Sequence, residues 1–265
     1  MDDSWGLIRD VNRLLTDFGW FKGDAFSKWI KKQIFGLTGK GSVTFSDLET
    51  WKKDNPGGFR SLYVVGTNLS LQIPEVFSAE TVPDMEIWYA VRISMSIPLF
   101  FAAVKEADGD IFIDGGVTWN YPLNLFDDKR YLSDPENQRL YTDPDYPTRL
   151  GVDHVYNKET LGFRVDTKDE IAAAKKNWHR PPKEIEDFVD YLKALLGFMM
   201  DIANKAHLHE NDWHRTVFID AKGVRTTDFN LTTDKVEELI KSGEEGTSAY
   251  FRWLEDKGSN PKNRI

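Results

Sequence analysis

S-M-S-I-P-L-F-F-A-A-V-K-E-A-D-G-D-I-F-I-D-G-G-V-T-W-N-Y-P, residues 94–122, is the stretch whose reading decides the fold. A helix end marked by Pro98 leads into the apolar run 99–104, a polar turn at Asp108-Gly109-Asp110 and a second apolar run, 111–113, which together predict a β-hairpin. The second strand closes on Asp114-Gly115-Gly116, a carboxylate at a strand end followed by a turn sharp enough to use two glycines in succession. An acidic residue beside permissive backbone is a candidate catalytic position. The same Asp-Gly pair is also a common turn former whose carboxylate bonds its own backbone.

Outward from this stretch the pattern is mixed α and β. Leu7, Ile8, Val11, Leu14, Leu15 and Phe18 recur at three-and-four spacing and predict a helix ending near Gly19. A second helix is expected over 24–35, and Ser46 with Glu49 has capping-box spacing ahead of Trp51. Residues 62–65 and 71–73 read as strands, and 86–95 as a helix. Residues 126–160 lack a period and predict a long surface excursion, followed by a strand over 161–165. From Ile185 to Ala206 a wide apolar stripe predicts a core helix; Phe198, Met199 and Met200 spill outside it and offer a fatty-acyl groove or a membrane contact, against which the acids Glu184, Glu186, Asp187, Asp190 and Asp201 argue. Residues 217–219 read as a strand, Gly243 as the end of the helix carrying Val236, Leu239 and Ile240, and 250–254 as part of a last helix.

The 265 residues, 40% of them hydrophobic, suffice for a sizeable core, and no composition shift marks a boundary, so a single domain over 1–265 is expected. The absence of cysteine excludes disulfides, thiolate metal sites and cysteine nucleophiles. The net charge of -9, with basic pairs such as Lys31-Lys32 short and scattered, argues against nucleic acid as a partner and makes those pairs solvated surface. There is no signal peptide or membrane-spanning run, so a soluble, cytoplasmic protein is expected. His207, His209, Glu210, Asp212 and His214 form a cluster with two readings. On a continuous helix His207 and His209 point to opposite sides and the cluster is a solvated helix end; a loop would be needed to make it a metal site, and no metal is expected.

Ser94, Ser96, Pro98, Asp114-Gly115-Gly116 and Asn120-Tyr121-Pro122, in this order and spacing, resemble the patatin-like phospholipase family. The resemblance extends to residues 19–24, 64–70 and 220–231. It implies an α/β, patatin-like three-layer sandwich and a Ser-Asp dyad without a cofactor: a serine hydroxyl attacks the ester carbonyl of a lipid or phospholipid and an aspartate, here Asp114, takes its proton. Gly115 and Gly116 complete the motif as turn residues, and Asn120 and Pro122 are structural. The family's G-x-S-x-G nucleophile turn and glycine-rich oxyanion loop have no counterpart here; Ser4 and Ser248 sit in partial matches and read as helix caps. The chain therefore resembles the part of the domain that follows the nucleophile, N-terminally incomplete and lacking the strand-nucleophile-helix unit. On that reading it is marginally stable alone, self-associates, or fills the gap with other elements. Three readings stand: a lipid acyl hydrolase portion inactive without its serine, a non-catalytic descendant binding lipid or a partner protein, with peripheral membrane contact, and an enzyme using another nucleophile.

Overall fold

The computed structural model describes residues 14–139, 154–167, 184–206, 210–224, 228 and 230–256. The chain divides into two compact units, Met1–Asn120 with Ile185–His207, and Tyr121–Glu184 with Leu208–Ile265. Both mix helices and strands.

In the first unit the order is β1 (Gly19–Phe21), α1 (Asp24–Thr38), α2 (Phe45–Asp54), β2 (Val64–Asn68), β3 (Ile73–Phe77), α3 (Ile87–Ser94), β4 (Leu99–Phe101), β5 (Val104–Lys105), β6 (Ile111–Asp114), α4 (Gly116–Trp119) and α5 (Phe188–Ala206). β3-β2-β6-β5 form an antiparallel sheet with Gly66 opposite Asp114 and Thr67 opposite Ile113. Val43, Phe45, Phe77, Ile87, Ala90, Ile93 and Phe112 make its core, so α2, α3 and the strands β3 and β6 bury one common face. The predicted hairpin exists as β5-β6, but its first arm is shorter than the apolar run. Leu99, at φ 70°, turns the chain, and β4 pairs in parallel with β1 instead.

Helix ends follow local chemistry more closely than the sequence reading did. α1 runs past the predicted end at Phe35 because Gly39, at φ 69°, supplies a left-handed cap whose N–H bonds the Phe35 carbonyl. α2 is capped by Thr44, not Ser46: Thr44 Oγ1 accepts from the Asp47 N–H and the Asp47 carboxylate accepts from the Thr44 N–H. Of the first predicted helix 14–18 falls among the described residues; 14–16 are helical, but the helix ends before the predicted Gly19, since Asp17 and Phe18, the latter at φ 62°, turn the chain into β1.

α5 departs from the expected core helix. Its apolar arc spans more than half the helix circumference, and only part of it is covered. Leu192, Leu196, Met200 and Ala203 are half-buried or buried, whereas Tyr191, Leu195, Phe198, Met199 and Ile202, the neighbouring face at 3.6-residue spacing, are exposed.

The second unit holds β7 (Gln138–Arg139) antiparallel to β8 (Tyr156–Asn157), β9 (Gly162–Asp166) parallel to β10 (Thr216–Asp220), and α6 (Thr233–Glu255). The predicted excursion is partly organised by short 3-10 turns between Leu123 and Asn137. Residues 140–153 lie outside the described residues. Gly243 does not end its helix: α6 continues through it to Glu255, merging the two predicted helices. Gly246 is needed there for approach, since a Cβ would stand 2.6 Å from the Phe218 carbonyl oxygen of β10. Packing on the strand outweighs the roughly 1 kcal/mol helix penalty of a glycine.

A buried ion group ties this unit together. Arg215 bonds both carboxylate oxygens of Asp127, reaching Oδ2 at 2.6 Å, and the Asp212 Oδ1 at 2.7 Å, and donates to the Asn157 carbonyl at 2.9 Å. All three side chains are almost wholly inaccessible. The two carboxylates overcome the burial cost and hold the guanidinium pKa above its usual value. Arg215→Met removes the cation and leaves both acids buried; a loss of about 3–5 kcal/mol is expected in urea unfolding followed by circular dichroism.

Candidate active site

Asp114 ends β6, and its place is fixed through the backbone. Its N–H donates to the Ser96 carbonyl at 3.0 Å, and its own carbonyl accepts the Thr67 hydroxyl at 2.8 Å, which lies 2.8 Å from the Thr118 hydroxyl of α4. The carboxylate Oδ1 accepts the Gly116 N–H at 2.6 Å, an Asx-type turn that also stands at the start of a helix. The turn and catalytic readings of Asp114 are thus compatible, because Oδ2 is left to accept a proton. Burial raises the carboxyl to about 6, partly offset by the Gly116 hydrogen bond, which favours the charged form.

The two glycines do not serve a left-handed turn. Gly115 has ordinary helical geometry, φ -63°, and the need is for room. A Cβ on Gly115 would lie 2.2 Å from the Val65 carbonyl oxygen of β2. One on Gly116 would lie 2.8 Å from Asn120 Oδ1 and 2.9 Å from Asp114 Oδ1. The side chain of Asn120, read from sequence as structural, is therefore brought beside the carboxylate. Tyr121 and Pro122 fall in the other unit.

Behind Asp114 stands a residue that the motif reading passed over. Arg92, on α3, is buried and its guanidinium donates to the Lys22 carbonyl at 2.7 Å, the Ala102 carbonyl at 2.9 Å and the Ser96 hydroxyl. Ser96 is fully inaccessible, and its hydroxyl donates to the Arg92 carbonyl at 2.7 Å. Burial pulls the guanidinium below its usual pKa, and the negative charge of Asp24 opposes this. The segment after β1, the segment after β4 and the Ser96 turn that receives Asp114 are thus held by one cation. A signal was present in the sequence: Arg92 is the one charged residue inside an otherwise apolar helix, I-W-Y-A-V-R-I-S. Gly23 makes the approach possible, since it sits at φ 80° and a Cβ there would fall 2.6 Å from Arg92 Nε.

The remaining candidates separate from this site. Ser96 is committed to Arg92. Ser248 lies inside α6, not at a cap, and is exposed. Ser4 lies outside the described residues, as do His207 and His209. The described part of the cluster, Glu210–Arg215, is a 3-10 turn and not a continuation of α5; Asp212 is engaged by Arg215, and the His214 carbonyl accepts the Tyr250 hydroxyl at 2.9 Å. Among the described residues no group of three or more His, Cys, Asp or Glu is placed to hold a metal ion. None of the described helices is long and apolar enough to cross a membrane.

Fold and site together define a mixed α/β chain with a half-buried aspartate at a strand end. Residues 2–127 match the family model described as patatin-like phospholipase. The chain is similar to the uncharacterized protein R571 of Acanthamoeba polyphaga mimivirus, 34% identical over 60% of this chain and 51% of that protein. It is also similar to the uncharacterized protein YqhO of Bacillus subtilis, 26% identical over 88% of this chain and 68% of that one. The probable lipid hydrolase 463L of Invertebrate iridescent virus 6 is 30% identical over 40% of this chain and 34% of its own length. The chain spans about half the length of the mimivirus relative. The crystal structure of VipD from Legionella pneumophila aligns with a TM-score of 0.45 and 18% identity, over 80% of this chain and 35% of that one.

Two outcomes follow. Since Asp114 binds its proton more tightly folded, near 6, than unfolded, near 3.8, stability falls as pH rises between those values. Asp114→Asn is therefore expected to stabilise the protein above pH about 6, by of order 1–3 kcal/mol, and to leave it unchanged below about 4; urea titrations at both ends read this directly. Gly23→Ala forces a strained φ and a clash with Arg92, and a loss of about 1–3 kcal/mol is expected in the same assay.

Proposed function

We propose that the chain is part of a patatin-like lipid acyl hydrolase in which Asp114 is the general base of a Ser-Asp dyad. The observation that carries the reading is the Asp114 carboxyl, held at the end of β6 with a pKa raised to about 6. An ordinary aspartate near 3.9 is a poor base, whereas one near 6 is mostly ionised at pH 7 and accepts a proton far more readily. The serine Oγ would form a bond to the acyl carbon as its proton passes to Asp114 Oδ2. That proton then goes to the departing alcohol, and water, activated by the same carboxylate, hydrolyses the acyl-enzyme.

On this reading the fold is the patatin-like three-layer sandwich within one domain, and the serine with its strand-to-helix turn comes from sequence outside the chain. Two features support that. β1-β4 and β9-β10 are two-stranded parallel sheets among the described residues, an arrangement that ordinarily belongs inside a larger covered sheet. The bare half of the α5 arc is apolar surface of the kind a further element covers. The absence of G-x-S-x-G favours a second reading, a non-catalytic descendant that retains the aspartate turn and binds lipid.

The test is hydrolysis of a short-chain nitrophenyl ester and of phosphatidylcholine by the natural full-length protein containing this chain, with and without Asp114→Asn. Loss of about 10²–10⁴ in kcat on both substrates, with no change in melting below pH about 4, is expected of a general base. Undiminished turnover in the variant would overturn the assignment; vesicle binding with no turnover in either protein would establish the second reading.

A further inference from the structure

We propose that α1 is a docking surface for anionic membrane lipid. It rests on the lipid-ester reading for its purpose and adds the surface from which such a substrate is drawn. The observation is an interleaving of exposed aromatic side chains with lysines on one helix of an otherwise acidic chain.

α1 is a helix of 15 residues with no fully buried side chain. Phe26, Ile30 and Ile34, one row at i, i+4 spacing, are half-buried, and Ile34 packs against the core of the first unit. The opposite side carries Lys28, Trp29, Lys32 and Phe35, all exposed, with Trp29 at 55% and Phe35 at 56%. Leu37, in the last turn, is 84% exposed but lies on the side of Phe26, Ile30 and Ile34, three residues beyond Ile34, and is not part of this face. Lys31 is exposed on the flank, its ammonium 3.6 Å from the centroid of the Trp88 ring, and Lys40 just beyond the helix is paired with Asp47. Lys28 and Lys32 are therefore the cations turned outward.

Charge decides the occupant. The chain carries -9, so an anionic bilayer repels it as a whole. At physiological salt, however, screening acts over about 8 Å, and the bilayer then feels the local surface and not the sum. On α1 the acid Asp24 is confined to the first turn, where its field falls on Arg92, while lysines occupy the middle of the helix. An interfacial helix needs this pairing: a Trp and a Phe to enter the headgroup and acyl boundary, and Lys stems that lie along apolar surface with their ammonium groups among lipid phosphates. A protein neighbour fits less well, because lysine is depleted from the cores of protein interfaces. The bare face of α5 shows the contrast, being flanked by exposed Glu184, Glu186 and Asp187 and by Asp190.

The test is flotation of the protein with vesicles of phosphatidylcholine alone and of phosphatidylcholine with about one third phosphatidylserine. Binding to the anionic vesicles at least tenfold tighter than to the neutral ones is expected, falling at least tenfold in Lys28→Glu/Lys32→Glu and on raising salt from about 0.1 M to about 0.5 M. Trp29→Ala/Phe35→Ala should also lose binding, whereas Phe198→Ala/Met199→Ala on α5 should not. Because all these side chains are exposed, far-UV circular dichroism and melting should match the parent, and Lys28→Gln/Lys32→Gln serves if the reversal does not. Equal binding to both vesicles, no binding to either, parental binding by both lysine variants, or loss transferred to the α5 variant would overturn the proposal. None of these outcomes touches the Asp114 reading, since hydrolysis of a water-soluble nitrophenyl ester needs no membrane surface.

Discussion

The first unit is organised around a buried guanidinium. Taking a cation out of water costs several kcal/mol unless acceptors meet its donors, and the two terminal nitrogens of Arg92 are turned on two main-chain carbonyls and a hydroxyl. Those acceptors belong to segments far apart in sequence: Lys22 leads into α1, Ala102 follows β4, and Ser96 turns the chain out of α3. A carbonyl that accepts from a buried charge is held more firmly than one that meets water, because releasing it strands the charge. The parallel pairing of β1 with β4, the start of α1 and the Ser96 turn are consequently one arrangement, and Gly23 is glycine because a side chain would occupy the place of the guanidinium.

Asp114 inherits its position from this arrangement. Its amide binds the carbonyl of the residue whose hydroxyl binds Arg92, so the end of β6 is anchored from behind while β2 lies alongside, close enough that Gly115 has no room for a side chain. The carboxyl is then left in surroundings poor in counter-charge, with a single N–H to favour its ionised form, and burial prevails. The raised pKa is a consequence of the geometry that fixes the strand end.

How much of this was legible in the sequence varies with the range of the interaction. The strand ending in Asp114, the hairpin turn at Asp108-Gly109-Asp110 and the helix before Pro98 are set by neighbours in the chain, and they lie where the pattern placed them. The split of the apolar run 99–104 between two sheets was hidden, because apolar periodicity states that residues are buried and not which partner they pair with. The glycines were misread for a related reason. A turn glycine and a glycine pressed by a distant carbonyl look alike in sequence, as Gly115 against Val65 and Gly246 against Phe218 show, and only contact distinguishes them. Arg92 was missed because its acceptors are backbone atoms, which carry no mark in the amino-acid pattern.

The exposed apolar surface separates into two kinds, and the charges around each kind explain the difference. On α5 the bare side chains Tyr191, Leu195, Phe198, Met199 and Ile202 continue directly from the covered ones in one arc. A continuous apolar face of this sort suits dehydration by closely packed neighbouring side chains, since nothing on it needs to retain water. On α1 the apolar side chains are separated by ammonium groups that burial in a protein core would strand at a cost of several kcal/mol. A medium that accepts the rings and keeps the cations hydrated and paired at once is a lipid headgroup layer, where depth replaces sequence as the coordinate along which polarity changes. On the proposed reading the α1 face suits lipid and the α5 face suits protein, and the lysines mark which is which.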